Sequence, residues 1–325
     1  MVKFLIIQTA FIGDVILATP IIEKLHKFYP DSQIDFLLRK GNENLLRNHP
    51  YVSNLLIWDK KKDKKKNMFR IIKLIRNKKY DYVINLQRFT STGIITAFSK
   101  GKIKVGFNKN PFSFLFTRKI NHEIGNGKHE VERNIETVTE ITDESIFNPK
   151  LYPSNEDYQI VSQYKMRPYI CIAPTSVWYT KQFLVEKWVE LINRTDSKYQ
   201  IYLIGGPDDK MDCDKIISES NNKNVTNLCG ELSLLQTSAL MANSSMNYVN
   251  DSAPMHMSSA MNAPTTAVFC STVPKFGFGP LSDNSKVIET EEKLDCRPCG
   301  LHGYKACPKG HFKCATTIEI DKLIF

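Results

Sequence analysis

No stretch of this 325-residue chain approaches the roughly 20 consecutive apolar residues that span a bilayer. An integral helical membrane protein is therefore not expected. The apolar start Phe4-Leu5-Ile6-Ile7 is interrupted by Gln8 and then by Gly13-Asp14, with no cleavage site beyond, so it does not read as a secretory leader. The expected location is the cytoplasm. No repeat with a period of about 20 to 50 residues is visible, and no low-complexity tract occurs apart from one lysine run. Solenoid and propeller architectures are thereby set aside. Recognisable nucleic-acid motifs are also missing.

What is present in excess is positive charge, and it is local. Between Lys60 and Lys79 stand eleven Lys or Arg and one Asp, a net +10, which equals the net charge of the whole chain. The other 305 residues sum to zero. Within the run, Met68, Phe69, Ile71, Ile72, Leu74 and Ile75 have helical apolar spacing, and Arg70, Lys73, Arg76, Lys78 and Lys79 fall on the remaining faces. An anionic membrane surface, an anionic acceptor or nucleic acid could each attract such a patch, and a solvated basic surface without a partner is the plain alternative. Aromatic interleaving is limited to Phe69, so a nucleic-acid partner is not expected.

Eight cysteines divide into two groups. Cys171, Cys213, Cys229 and Cys270 are isolated and read as buried thiols of a reduced compartment. Cys296, Cys299, Cys307 and Cys314 cluster, with His302 and His311 nearby. That spacing could hold a structural zinc or consist of packing thiols, and the second pair lacks the usual close interval of zinc sites.

The length favours two domains. Strand-like runs at 3–8, 34–38, 55–58, 82–86 and 103–106 alternate with helical patterns, the first helix running from Asp14 to about Tyr29 with a kink at Pro20. A polar stretch, 148–167, with Pro149 and Pro153, reads as a linker. Alternation restarts with strands at 169–173, 200–204, 225–228, 246–249 and 265–269. The fold class is α/β: two doubly wound, Rossmann-like domains, 1–152 and 153–325, facing each other across a cleft where the carboxyl ends of the strands bind ligands.

Tyr248-Val249-Asn250-Asp251-Ser252-Ala253-Pro254-Met255-His256 ends a strand, turns on small residues and opens a helix. Unpaired N–H groups and the helix dipole make such a junction an anion site. Asp251 and Ser252 are good N-cap residues, and His256 is expected in a turn, where a ring nitrogen could reach a ligand. Two other strand ends carry chemistry: Gly13-Asp14 at a helix start, and the loop Pro174-Thr175-Ser176-Val177-Trp178-Tyr179-Thr180-Lys181, whose lysine can meet a diphosphate.

Taken together, Gly13-Asp14-Val15-Ile16-Leu17-Ala18-Thr19-Pro20, Lys128-His129-Glu130-Val131-Glu132-Arg133-Asn134, the Thr175–Lys181 loop with Trp188 beyond it, and Asp251–His256 resemble the bacterial heptosyltransferases of lipopolysaccharide core synthesis, glycosyltransferase family 9. The cysteine-rich tail is similar too. The resemblance implies the GT-B fold, with an acceptor-binding first domain and a nucleotide-sugar-binding second domain. It further implies inverting, metal-independent transfer of a heptose from ADP-heptose to a lipid-anchored core saccharide, with no cofactor beyond the donor. By that match Asp14 is the general base, Thr175, Ser176 and Lys181 bind donor phosphates, and Asp251, Ser252, Ala253, Pro254 and His256 form the phosphate and sugar floor. Leu232 falls against adenine, and Gly13, Lys60 and Lys64 lie on the acceptor side. A monomer in peripheral contact with the anionic inner membrane face completes the expectation. Other nucleotide-sugar transferases, an epimerase of similar fold and a basic-surface binding protein are the rival readings. Ala253 stands where the family usually has Gly, which is tolerable only at negative φ.

Overall fold

The computed structural model describes residues 1–324. The chain divides into two compact units, one of Met1–Ile124 with Lys128–Tyr152, the other of Gly125–Gly127 with the residues from Pro153 onward.

In the first unit β1 (Lys3–Ile7), β2 (Gln33–Arg39), β3 (Asn54–Trp58), β4 (Tyr82–Asn85), β5 (Ile103–Phe107) and β6 (Arg118–Ile120) form one sheet in the order β3-β2-β1-β4-β5-β6. Every neighbouring pair is parallel. Phe4 to Ile7 are all buried rather than alternately exposed, as a parallel strand covered on both faces requires. The connecting helices are α1 (Ile12–Ile16), α2 (Thr19–Phe28), α3 (Lys64–Lys78), α4 (Thr90–Ala97) and α5 (Glu130–Ile135). The single kinked helix expected after β1 is thus two helices. Leu17 and Ala18 separate them, and Pro20, the second residue of α2, begins that helix instead of bending it, because a first-turn N–H has no intrahelical hydrogen bond to lose.

In the second unit β7 (Tyr169–Ala173), β8 (Gln200–Leu203), β9 (Val225–Asn227), β10 (Met246–Asn250), β11 (Thr265–Phe269) and β12 (Ser285–Glu289) form the sheet β12-β11-β10-β7-β8-β9, again all parallel. Its helices are α6 (Asn155–Val161), α7 (Val185–Arg194), α8 (Lys210–Glu219), α9 (Leu234–Met241), α10 (Ala253–Ala260) and α11 (Lys313–Thr316). The core gathers Ile170, Ile172, Trp188, Leu203, Tyr248 and Val268. Cys171, Cys213, Cys229 and Cys270 are buried in this unit. Helix α6 lies inside the stretch expected to be a linker. Ser154 starts it: its Oγ accepts from Asp157 N–H at 3.2 Å while Asp157 Oδ2 accepts from Ser154 N–H at 2.8 Å, a reciprocal cap. The edge strands β6 and β12 were not anticipated, being short and half polar.

The basic run folds as predicted into a helix, and two features fasten it. Ile71, Ile72 and Ile75 enter the core beside Leu37 and Trp58. At its far end Lys78 Nζ donates to buried Asp35 Oδ2 at 2.9 Å, and Asp35 also accepts from Tyr80 Oη at 2.5 Å and Asn54 Nδ2 at 2.8 Å. Burial alone would raise the Asp35 pKa, but these donors hold it below the usual carboxylate range. Gln33 Nε2 is a fourth donor, to Oδ1 at 3.0 Å, so removing the carboxylate leaves four donors without their shared acceptor. Asp35→Ala is expected to cost about 3 kcal/mol of stability, measured by denaturant unfolding; a loss under about 1 kcal/mol would show the network to be incidental.

Candidate active site

Both sheets reverse direction between two adjacent strands: β1 leads outward to β2 while β4 leads the other way, and β7 and β10 repeat the pattern. Loops leaving such a pair diverge, which opens a crevice at their carboxyl ends. Of the sequence-predicted residues, Gly13, Asp14 and Lys60 gather at the first of these places and Thr175, Ser176, Lys181 and the 251–256 segment at the second, whereas Lys64 and Leu232 lie outside both.

In the first unit the loop after β1 is clamped from three sides. Thr9 Oγ1 donates to Gln87 Oε1 at 3.1 Å, Lys60 Nζ donates to Thr9 O at 2.7 Å, and Asn42 Nδ2 donates to Ala10 O at 3.0 Å. Helix α1 begins there, with Gly13 and Asp14 in its first turn. Asp14 Oδ2 accepts from Phe11 N–H at 3.1 Å, so the carboxylate caps by reaching back from the third helical position. Burial, followed by repulsion from Glu130, pushes its pKa up to about 6, against the pull of Arg39. Glu130 is itself kept ionised: burial opposes its charge, but His122 Nε2 at 3.3 Å and Arg133 Nε at 2.8 Å hold its pKa low. Asn134 Nδ2 donates to Leu17 O at 3.1 Å, tying α5 to the end of α1. Lys60 lies over the Trp58 ring, 4.9 Å from its centroid, and burial, with Arg39 and Lys64 adding repulsion, lowers its pKa to about 8. Lys64 is exposed at the start of α3. Arg39 and Glu130 are the electrostatic partners that sequence reasoning left out of the site, although Glu130 stood within a quoted motif.

In the second unit β7 and β10 pair with Ala173 opposite Val249, so the segments that follow them start side by side. Asn250, fully buried, joins them: its Oδ1 accepts from Phe183 N–H at 2.9 Å and its Nδ2 donates to Thr175 O at 3.3 Å. Ser176 O accepts from Gln182 Nε2 at 2.7 Å, and Lys181 ends a short 3-10 turn. Lys181 Nζ then meets Asp251 Oδ2 at 2.7 Å, and Thr272 Oγ1 donates to the same oxygen at 2.6 Å.

Three expectations about the motif change here. Asp251 does not cap α10, because Lys181 and Thr272 occupy it. Ser252 stands at the N-cap position, but its hydroxyl makes no cap bond and instead lies 3.4 Å from Asn250 O. The first turn of α10 is therefore left without a side-chain cap. His256 is not in a turn. It is the fourth residue of α10 and is buried, 6% exposed. Ala253 is not among the positive-φ residues, and Pro254 occupies the second helical position, where it has no N–H to offer. Leu232 is half-buried between β9 and α9, just before Ser233, whose Oγ caps α9 through Gln236 N–H at 3.3 Å.

The cysteine-rich tail holds this site from behind. Arg297 Nε donates to Cys270 O at 2.7 Å, and its Nη2 donates to Thr272 O at 2.7 Å and to Phe269 O at 3.1 Å, so one guanidinium fixes the end of β11 from which Thr272 reaches Asp251. Tyr304 N–H donates to Thr180 Oγ1 at 2.7 Å, and Tyr304 O accepts from Thr180 N–H at 3.1 Å. Among the described residues no three Cys, His, Asp or Glu side chains come together as a metal site. Cys296 Sγ lies 3.8 Å from His311 Nε2, and burial, with Cys296 and Cys307 adding repulsion, raises the Cys299 thiol.

One switch point thus offers a carboxylate, and the other a lysine beside an uncapped helix start. The family model for glycosyltransferase family 9 (heptosyltransferase) matches residues 68–303. The chain belongs to this family. It is 28% identical over 281 residues to lipopolysaccharide heptosyltransferase 3 of Escherichia coli, covering 81% of this chain and 82% of the relative. The structure of Escherichia coli ADP-heptose lps heptosyltransferase II superposes with a TM-score of 0.79 at 22% identity, covering 91% of this chain and 95% of that one. A family 9 glycosyltransferase from Veillonella parvula gives 0.86 at 21% identity, covering 99% and 94%. The fold of this glycosyltransferase is GT-B.

Two predictions follow from the geometry. The raised Asp14 pKa means that ionising this carboxylate opposes folding, fully above pH 6 and progressively less as pH falls from about 6 to about 4. Asp14→Asn is therefore expected to be more stable than the wild type by about 2 kcal/mol at pH 8, with the difference closing near pH 4; equal stability at both pH values contradicts the shift. At Gly303, φ is +76° and an added Cβ would meet Thr180 Oγ1 at 2.8 Å. Gly303→Ala is expected to cost about 2 kcal/mol, read as a lowered melting temperature, because both the backbone and the Tyr304–Thr180 clasp oppose it.

Proposed function

We propose that this family 9 enzyme moves a heptose from ADP-heptose to a hydroxyl of a lipid-anchored lipopolysaccharide core saccharide, with inversion at the anomeric carbon and without a metal ion. The relatives and structural neighbours support this reading through their own names. The observation that carries it is the state of Asp14: a carboxylate at the β1 switch point, held to about 6 by burial and Glu130, is a base that is ionised at neutral pH yet strong enough to accept a proton there.

Asp14 removes the acceptor proton as that oxygen attacks the anomeric carbon, and the bond from that carbon to the diphosphate breaks on the opposite side. Charge then grows on the leaving diphosphate. Lys181 and the uncapped first turn of α10, with Ser252, Ala253 and Pro254, supply the positive potential that a metal would otherwise provide, and Thr175 and Ser176 add backbone and hydroxyl donors. Asp251 repels phosphate, so its part is to hold Lys181 and to accept from a sugar hydroxyl. His256 supports the floor from within α10, Leu232 packs against adenine, and Gly13, Lys60 and Lys64 receive the acceptor. Lys60, still largely protonated at neutral pH with its pKa lowered to about 8, meets a phosphorylated acceptor as a half-buried cation. The protein works as a monomer in the cytoplasm, in peripheral contact with the inner membrane; no helix among its described residues is long and apolar enough to cross it.

The test is a thermal-shift series with ADP, UDP and GDP. At a ligand concentration of 100 times Kd the folded state gains about 2.7 kcal/mol, so ADP is expected to raise the melting temperature by several degrees where UDP and GDP do not. Asp14→Ala is expected to keep that shift and to lose about 100-fold or more of turnover. Lys181→Ala is expected to weaken ADP about tenfold or more. Stabilisation by UDP or GDP alone would overturn the donor, and retained turnover in Asp14→Ala would overturn the base.

A further inference from the structure

The proposed catalytic groups leave most of the basic run unused, and one face of α3 has features that packing does not explain. Phe69 is 65% exposed at its centre. Lys65 and Lys66 lie one turn before it and Lys73 one turn after, with Arg70 and Arg76 beside them, all exposed. Leu74 adds a second partly exposed apolar side chain on the same helix. The opposite side, Ile71, Ile72 and Ile75, is fully used by the core. A phenylalanine in water beside a helix already anchored by its other face contributes nothing to folding.

The start of the helix is equally out of place for stability. Asp63 sits at the N-cap in the left-handed conformation, φ +45°, and makes no cap bond, while Lys64, Lys65 and Lys66 follow in the first turn. Three cations there oppose the helix dipole, where acidic residues or bound anions are favoured. A chain that breaks a local rule without structural gain marks a functional position. The cationic surface also continues off the helix. Lys40 and Lys62 line a groove of about 780 Å³ on one side of Phe69, and Lys100 and Lys102 line another of about 670 Å³ on the other. Asp59 answers Lys40 at 3.2 Å and Asp81 answers Lys102 at 2.7 Å, and Glu43 and Asp63 also border the first groove, so the surplus of positive charge is concentrated on α3 itself.

We infer that this face of α3 docks the protein on an anionic lipid bilayer, with Phe69 inserted at the headgroup boundary and Lys65, Lys66, Arg70, Lys73 and Arg76 on the lipid phosphates. One apolar tip ringed by cations on a convex helix is the pattern of an interfacial element. Strand-tracking by nucleic acid would call for several stacking aromatics along a groove, and this face has one. Phosphates gathered at the first turn offset the repulsion among the three lysines there. The inference deepens the proposed function, since it rests on an acceptor held in a membrane, and it assigns the bilayer a surface distinct from Asp14 and Lys181.

The experiment is sedimentation of the full chain with vesicles of phosphatidylglycerol and phosphatidylcholine, against phosphatidylcholine alone, at low and high salt. Binding is expected only to the anionic vesicles and is expected to fall with salt. Replacing Lys66, Arg70 and Lys73 together by Gln should lower partition on the order of 100-fold, from about fivefold per charge, and Phe69→Ala about tenfold, with melting temperatures held or raised. Phe69→Trp should restore binding and shift its added fluorescence to the blue on anionic vesicles. Wild-type failure to bind, unchanged binding in the variants, or an unshifted Phe69→Trp emission together with tight oligonucleotide binding through the same residues would each overturn the inference. A water-soluble, lipid-free acceptor separates the two readings: the triple variant should glycosylate it as the wild type does. If the wild type transfers no sugar to it from any nucleotide donor, the transferase reading fails while the vesicle result stands.

Discussion

The parallel pairing of β7 with β10 is the constraint on which the second unit's chemistry depends. These strands are neighbours in space but separated by two strands in sequence, so the chain leaves them in opposite directions and the ends of both are open to ligand. Because Ala173 lies opposite Val249, Asn250 can reach across to Thr175 and Phe183, and the turn that follows delivers Lys181 to Asp251. A register slip of one residue would send every side chain of β10 to the other face and break all three contacts. The first unit uses the same device at β1 and β4, where Gln87 at the end of one strand grips Thr9 at the end of the other and sets the entry of α1. Position in the sheet comes first, and the charges are arranged around it.

Around Asp251 the second unit builds a chain of support. Arg297 fixes the end of β11, Thr272 leaves that end to meet Asp251, and Asp251 holds Lys181. From the other side Tyr304 closes on Thr180, next to Lys181. The tail that looked like a candidate metal site from its cysteines is thus bound into the site through an arginine and a backbone clasp. Few of these contacts involve a residue that would touch a substrate. They determine how much freedom Lys181 has, and a lysine restrained in advance loses less entropy on meeting a ligand.

Much of this was legible before any coordinates. Apolar runs such as Tyr169–Ala173 and Thr265–Phe269 have the continuous burial of parallel strands, and their alternation with helical patterns required the α/β class. What could not be read was whatever depended on partners far along the chain. Asp251 and Ser252 have the composition of an N-cap, and locally that is their best use; Lys181, 70 residues earlier, and Thr272, 21 residues later, outbid it. Pro20 reads as a kink until Leu17 is seen to stop one helix and let another start. Helix α6 was hidden by its polarity, since its existence depends on a reciprocal cap and one buried valine rather than on an apolar stripe. Arg39 and Glu130 act on Asp14 only through space, and no spacing rule announces that.

Charge in this protein is handled in two opposite ways, and the contrast bears on how its parts divide the work. At the β1 switch point, burial draws both kinds of group toward neutrality: Asp14 upward to about 6 and Lys60 downward to about 8. Groups so shifted change their protonation or their hydration when a substrate excludes water, which suits proton removal and discrimination of one hydroxyl from another. On α3 every cation but Lys78 stands in solvent, where their field reaches about a Debye length and falls with salt. Such charges are poor at chemistry and good at gathering anions. Because the residues outside the Lys60–Lys79 run sum to zero, this run, most of it in α3, carries the net charge of the molecule, so an anionic surface would meet the protein through the first unit. Under the proposed function that is also the unit that carries the base, and an acceptor confined to a membrane would be found faster by a protein already held to that membrane.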